Sequence, residues 1–274
     1  MALNSVNTNV GAMIALQNLQ VTNQDLSTVQ NRISTGKAIA SAKDNGAIWA
    51  IAQGQRAEMG ALNAVKDSLN RGQSSVDVAL SAGESVSDLL LQMKEKALAA
   101  KDSSLTTDAR TALAEDFVAI RTQIGTVVAN ASFNGMNLLD GTATGGFKAL
   151  ANAKGSSTID AASQTMTLAA LSIDASVLTD TTTAGAALTA VDAAISKVSG
   201  QLAKLGTSSK AFATHNTFVG KLQDALESGV GNLVDADLAK ESARLQALQT
   251  KQQLGVQALS IANSSTSMLL GLFR

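Results

Sequence analysis

The feature that most constrains the fold is a regular ladder of small and apolar residues between Leu62 and Ala100. Its positions recur at alternating intervals of three and four residues, the spacing of a coiled-coil helix seam. They are Leu62, Val65, Leu69, Gly72, Val76, Ala79, Gly83, Val86, Leu90, Met93, Ala97 and Ala100. A ladder sustained over more than five heptads predicts one long helix. Its Gly and Ala positions favour close approach of a partner backbone.

Two further segments repeat the three-four spacing after a polar break at 101–107. One contains Leu113, Phe117, Ile120, Ile124 and Val127, and the other contains Leu188, Val191, Ile195, Val198, Leu202 and Leu205 and continues past Phe212 to Val230. Ser209, Asn216 and Gln223 interrupt the seam of the latter. The chain contains no proline, so no rigid breaker interrupts these segments.

The segment 134–185, between the second and third helices, is rich in Gly, Ser, Thr and Ala. Asn134-Gly135 is a turn signal, and the stretches 165–168 and 171–173 are candidates for short strands. The sequence therefore predicts a mainly α fold: a long antiparallel coiled-coil rod with a small β-hairpin region where the chain reverses.

The two ends of the chain carry no charged side chain, from Met1 to Gln24 and from Gln252 to Phe273. Their apolar residues alternate with Asn, Gln and Ser, and Leu3, Val6, Val10 and Met13 follow the spacing of a helix seam. A solvated surface helix normally carries charge, and a membrane-surface helix carries Lys or Arg. Ends of this composition are typical of helices buried among protein neighbours, where a charge would have to be desolvated.

Composition argues against the common alternatives to a structural protein. Lys and Arg (21) nearly balance Asp and Glu (22), so no basic excess indicates nucleic acid or a membrane surface. An enzyme needs a convergent polar site, and this chain has no Cys and one His. His215 is interpreted as a surface or interface residue, and Asp235 and Asp237 as helix-capping residues, rather than as metal ligands. No cofactor or metal is expected.

No run of about 18 apolar residues predicts a membrane span, so insertion into a membrane is not expected. The first basic residue is Arg32, which argues against a cleavable signal peptide. A translocator or other membrane-active protein would also have amphipathic ends, but with basic faces or a longer apolar run. If the protein leaves the cell, another export route must recognise it.

Short motifs near both ends identify a resemblance. They are SVNTN at 5–9, NRISTGK at 31–37, SAKDNGA at 41–47, FNGMNLLDG at 133–141, DADLAKE at 235–241, QALSIAN at 257–263 and LLGLFR at 269–274. In this order and at these ends, the set resembles bacterial flagellin, the subunit of the flagellar filament. The length is similar to that of short flagellins of the alphaproteobacterial type, which lack the large outer domains.

The resemblance implies a layout and a function. Residues 1–44 would pair with 233–274 as an inner tube, and 45–232 would form an outer helical domain with a small β region at about 134–185. The expected polymerisation interface consists of Leu3, Val6, Val10, Met13, Leu16, Leu19, Leu245, Leu248, Leu259, Ile261, Leu270 and Phe273. The implied function is a self-polymerising subunit of an extracellular filament used for swimming. The alternative within the structural class is the adaptor that joins hook to filament.

The resemblance also implies partners. These are further copies of the chain, the hook–filament junction and filament cap proteins, the flagellar type III export apparatus and an export chaperone. Flagellins sensed by the animal innate receptor carry an Arg and a Glu at positions where Gln92 and Asp116 stand here. We therefore expect recognition by that receptor to be weakened.

Overall fold

The computed structural model describes the backbone of residues 8–271 and the side chains of residues 8–264. Within this range the helices are α1 Val10–Thr35, α2 Gly46–Ala100, α3 Thr107–Asn130, α4 Leu168–Leu171, α5 Thr181–Val234 and α6 Leu238–Gly271. The strands are β1 Ser132–Phe133, β2 Met136–Asn137, β3 Phe147–Leu150 and β4 Thr158–Ala161. The mainly α fold expected from the sequence is confirmed, with small antiparallel strand pairs between α3 and α5.

Side-chain caps explain where the long helices begin. The Asn45 Oδ1 accepts hydrogen bonds from the first amides of α2, Thr106 Oγ1 caps α3, and Asp180 Oδ1 accepts from the amides of Thr182 and Thr183 at the start of α5. Each cap satisfies amides that have no partner within their own helix. The predicted polar break is confirmed, because α2 ends at Ala100 and α3 begins at Thr107.

The chain forms two compact units. One contains the residues up to Ala57 and from Ala225 onward, and the other contains Glu58–Asp224. The first unit holds α1 and α6, while the second holds α3, α4 and all four strands. Helices α2 and α5 contribute residues to both units.

The predicted ladder forms the core of the second unit. Every position from Leu62 to Ala100 in the ladder is buried. Phe117 and Ile124 of α3 and Val191, Val198, Leu205 and Phe212 of α5 are buried in the same unit. The two glycines of the ladder stand where large side chains approach closely, Gly72 beside Phe147 and Phe212 and Gly83 beside Leu202.

The β region contains two antiparallel pairs, β1 with β2 and β3 with β4. The Asn134-Gly135 turn is confirmed: both residues have positive φ, 49° and 78°, in the two-residue loop that joins β1 to β2. Asn and Gly are favoured in such loops because they adopt this backbone conformation most easily.

The strands predicted at 165–168 and 171–173 are wrong. Thr167 caps the single-turn helix α4, and Ser172 ends it in a left-handed conformation. The apolar residues Met166, Leu171 and Ile173 of this segment are fully buried, so their pattern reflects irregular packing against the core rather than the alternation of a strand. No helix among the described residues is both long and apolar enough to cross a membrane.

Candidate functional site

Helices α1 and α6 pack against each other through an inner seam of mostly small and medium-sized residues. The seam residues are buried or half-buried and follow the three-four spacing on both helices. They are Ala12, Ala15, Leu19, Thr22, Leu26, Val29 and Ile33 on α1, and Glu241, Leu245, Leu248, Gln252, Gly255, Leu259 and Ala262 on α6. Leu19 lies over Gly255, where an added Cβ would stand 3.3 Å from the Leu19 Cδ1.

Polar contacts fix the register of this pair along its length. Near the start of α1, the Asn9 side chain accepts from the Ala12 amide at 2.9 Å and donates to the Ala262 carbonyl at 2.7 Å. The middle holds a 2.7 Å bond from Gln252 to Asn23. The single Asn9 side chain therefore caps α1 with one hydrogen bond and attaches α6 to it with another.

The other end of the pair is held by charge and by backbone bonds. Arg32 donates to Glu241 across the seam at 3.1 Å, and Glu241 is buried. Beyond α1 the chain pairs with the α5–α6 junction through bonds from Ala38 to Val234 (2.8 Å) and from Ala236 to Gly36 (2.9 Å). The charged side chains thus lie at this end of the seam, and the rest of the seam is uncharged except for Asp25 and Lys251 at its margins.

Both helices expose apolar residues on the side turned away from the inner seam. On α1 these are Val10, Met13, Ile14 and Val21, with Leu16 at the edge of the same surface, and on α6 they are Leu254 and Ile261. Met13 is 60% exposed and Ile261 70%. We call these two surfaces the outer faces of α1 and α6. Exposed apolar clusters of this kind mark interaction surfaces in soluble proteins.

The structure divides the expected polymerisation residues into two groups. Leu19, Leu245, Leu248 and Leu259 lie in the inner seam, whereas Val10, Met13, Leu16 and Ile261 are exposed. Leu3, Val6 and Phe273 lie outside the described residues, as does the side chain of Leu270. Val10 and Met13 therefore do not belong to the seam with α6, which is built from the neighbouring Ala12, Ala15 and Leu19 series. The sequence signal for that seam was present, because both series follow the three-four spacing.

The other residues singled out in the sequence have structural contacts. The His215 Nε2 lies 2.7 Å from the Ala151 carbonyl oxygen, and its ring lies 5.6 Å from that of Phe218. Asp237 accepts from the amides of Ala239 and Lys240 and so caps α6, as expected. Gln92 is exposed on α2, and Asp116 is exposed on α3, where it accepts from Lys96 at 2.6 Å.

Comparison with known proteins identifies the family. The model of the bacterial flagellin N-terminal helical region matches residues 6–144, and that of the C-terminal helical region matches residues 188–273. The chain belongs to the bacterial flagellin family. It is accordingly a structural protein of the flagellar filament and not an enzyme.

Individual relatives agree with this assignment over the whole chain. Flagellin FljM of Caulobacter vibrioides is 59% identical, with all of both chains covered. A flagellin of Brucella melitensis is 39% identical, with 98% of this chain and 99% of the relative covered.

Two solved structures are similar in fold. Bacillus cereus flagellin matches 56% of this chain and 88% of its own, with a TM-score of 0.51 and 22% identity. A putative flagellar hook-associated protein from Vibrio parahaemolyticus matches 70% of this chain and all of its own, with a TM-score of 0.58 and 14% identity. At such identities the likeness concerns the fold alone.

Proposed function

We propose that copies of this flagellin join through the outer faces of α1 and α6, and that the inner seam holds each subunit's own two helices together. The observation that carries the proposal is the pair of exposed apolar faces in the uncharged parts of the chain. Val10 is 56% exposed and Leu254 is 60% exposed. Both lie in the uncharged stretches 1–24 and 252–273, where no charged side chain favours contact with water. Covering these side chains with a neighbour removes apolar surface from water without desolvating a charge.

The position of the outer faces favours an open polymer. Each face lies on the side of its helix turned away from the partner helix. A single neighbouring copy therefore cannot cover both faces at once. When the α1 face of one copy meets the α6 face of the next, the first copy keeps a free α6 face and the second a free α1 face, so the pair can be extended at both ends. Such a heterologous contact continues indefinitely as a helical filament unless its rotation closes a ring.

The layout implied by the family fits this division of roles. In our proposal, residues 1–44 and 233–274 form the inner tube of the filament, and residues 45–232 form its outer helical domain. Assembly then covers the outer faces and the adjoining terminal residues. Because part of the apolar surface of these helices is covered only by neighbours, their full ordering is coupled to docking.

The remaining partners follow from family membership and belong to the same proposal. The subunit would reach the growing filament through the flagellar type III export apparatus, with help from an export chaperone, and would function outside the cell. It would meet the hook–filament junction proteins at the base and the cap at the tip. The adaptor alternative differs in its product, because an adaptor ends a structure that a filament subunit extends.

Seeded assembly tests the proposal. Purified chain added to filament fragments is expected to elongate them into long filaments, whereas an adaptor would bind without elongation. Ile261→Gln removes one apolar side chain from the outer face of α6 and is expected to raise the critical concentration by about tenfold or more, because an amide replaces buried hydrocarbon. Helix content, measured by circular dichroism, should be unchanged.

The matched control is Val177→Gln, which introduces the same polar group at an apolar residue of the other unit that is 47% exposed. It should elongate seeds like the wild type. If Ile261→Gln elongates seeds as well as the wild type does, the outer face of α6 is not part of the contact between copies.

We further infer that the animal innate receptor for flagellin responds weakly to this chain. Gln92 lacks the charge of the Arg that stands there in recognised flagellins, and the Asp116 carboxylate, shorter than Glu by one methylene, is engaged by Lys96. A receptor reporter assay should show a reduced response to the monomer and partial recovery with Gln92→Arg plus Asp116→Glu. A wild-type response equal to that of a recognised flagellin contradicts the inference.

A further inference from the structure

Met13 differs in its surroundings from the other methionines whose side chains the structure describes. The chain contains seven methionines and no cysteine. Met93 and Met166 are fully buried in the second unit, and Met59 and Met136 are half-buried. Met13 is 60% exposed on the outer face of α1. The side chains of Met1 and Met268 lie outside the described residues.

We propose that Met13 is an oxidation site, and that its conversion to the sulfoxide by a peroxide prevents the subunit from joining a filament. The proposal rests on the outer faces being the contact between copies. Oxidation would then act on the free subunit only, because a neighbour covers Met13 after assembly.

The chemistry needs one peroxide and no other reactant. The thioether sulfur of Met13 attacks one oxygen of hydrogen peroxide, the O–O bond breaks, and the second oxygen leaves as water. Sulfur is oxidised by two electrons and peroxide is reduced by two. With no thiol in the chain to compete for the oxidant, an exposed thioether is the favoured target.

The product is poorly suited to the contact. A sulfoxide oxygen is a strong hydrogen-bond acceptor, and burying it without a donor costs free energy that the thioether does not. Asn9, one turn back on α1, is already engaged: its oxygen accepts from the Ala12 amide, and one of its N–H groups donates to the Ala262 carbonyl. We expect the critical concentration for seeded elongation to rise about tenfold on oxidation of Met13.

Substitution isolates Met13 from the other methionines. Wild type, Met13→Leu and Met59→Leu are treated with hydrogen peroxide as monomers, the oxidant is removed, and seeded elongation is compared with untreated samples. Leucine keeps the apolar contact at similar volume but cannot be oxidised in this way. Treated wild type and treated Met59→Leu should lose elongation, whereas treated Met13→Leu should retain it. Equal loss in treated Met13→Leu overturns the proposal and assigns the effect to another methionine.

Rescue and protection complete the test. Methionine sulfoxide reductases with a dithiol should restore elongation of the treated wild type. Peptide mass spectrometry should show Met13 oxidised at least ten times more slowly in filaments than in monomers, because the neighbour excludes peroxide. Equal oxidation in both states overturns this proposal while leaving filament formation intact. Failure of untreated wild type to elongate seeds would instead overturn the proposed contact on which it rests.

Discussion

The α1–α6 pair and the α2–α5 seam of the second unit differ in how completely they bury their own apolar side chains. In the second unit the largest side chains, including Phe117, Phe212 and Leu69, are completely buried by the chain itself. Among the side chains of the α1–α6 pair that the structure describes, the most deeply buried are Thr22 and Val29, and the outer faces remain exposed. One region is completed within a single copy, and the other leaves apolar surface for a neighbour.

Polar pairs hold the helices of the second unit in register, as they do in the α1–α6 pair. Ser209, Asn216 and Gln223, which interrupt the apolar seam of α5, each meet a polar partner on α2. The pairs are Gln73–Ser209 at 2.7 Å, Asn70–Asn216 at 2.7 Å and Asn63–Gln223 at 2.8 Å. The α5 members are one heptad apart, so these pairs hold α2 and α5 in one antiparallel register over two heptads. Lys94–Asp192 at 2.8 Å continues the same register.

The largest expected change in stability comes from truncating a core side chain of the second unit. Phe212→Ala removes a ring that meets Phe147 edge to face, with centroids 6.3 Å apart, and covers Gly72. We expect the free energy of unfolding to fall by about 3–5 kcal/mol, as measured by urea denaturation. The control is Phe218→Ala on the same helix, which is 55% exposed and should cost less than about 1 kcal/mol. Similar losses for both would mean that the second unit is not the internally completed region.

Replacing glycines of α2 by alanine is expected to change the free energy of unfolding by a smaller amount, and in opposite directions at two positions. A Cβ at Gly72 would stand 2.9 Å from the Phe147 ring, whereas nothing lies within 4 Å of one at Gly60. Gly72→Ala should destabilise by about 1–2 kcal/mol, because crowding outweighs the gain in helix propensity. Gly60→Ala should stabilise by about 0.5–1 kcal/mol. Stabilisation by both would show that the seam is looser than its contacts indicate.

The two regions are also expected to differ in the coupling energy between paired amide side chains. A double-mutant cycle to Ala on Asn63 and Gln223 should give a coupling of about 0.5–1 kcal/mol in the monomer, since both side chains lie beside a packed seam. The same cycle on Asn23 and Gln252 should give a weaker coupling in the monomer and a stronger one in filaments, because neighbours complete the packing around this pair only after assembly. Equal coupling in the two monomer cycles would contradict the idea that the α1–α6 pair is completed by neighbours.

The sequence predicted the parts of the fold that depend on periodic spacing. The ladder from Leu62 to Ala100 needs only one helix face to be buried, and the whole series is buried. The pair β3–β4 was not located, because it depends on tertiary contacts: Gly146 leaves no room for a side chain beside the Ala161 carbonyl, and the Leu150 amide donates to Ser68. The outer and inner series of α1 have the same spacing, and they are distinguished by packing against α6, as where Leu19 lies over Gly255.

The smallest expected effect is the loss of stability at acidic pH. Hydrogen bonds from the Thr183 amide, and then from the Thr182 amide and the Thr183 hydroxyl, hold the pKa of Asp180 below the ordinary aspartate value. In the first unit the Ser41 amide, its hydroxyl and the Ala40 amide lower the pKa of Asp44 in the same way. A carboxylate with a depressed folded pKa stabilises the fold above its unfolded pKa of about 3.9, and this contribution is lost as pH falls through the folded pKa.

Because Asp180 caps the start of α5, which lies in the second unit, its protonation should lower the free energy of unfolding of that unit. We expect Asp180→Asn to lower the free energy of unfolding at pH 6 slightly and to reduce the loss of stability on acidification below about pH 4. Asp44→Asn should leave urea unfolding of the second unit unchanged, because Asp44 bonds only to the loop at 40–41. Urea titrations of both variants between pH 3 and pH 6, with the wild type as reference, measure the difference. A matching change in both would mean that the two units unfold as one, and that the α1–α6 pair is as firmly held in the monomer as the core of the second unit.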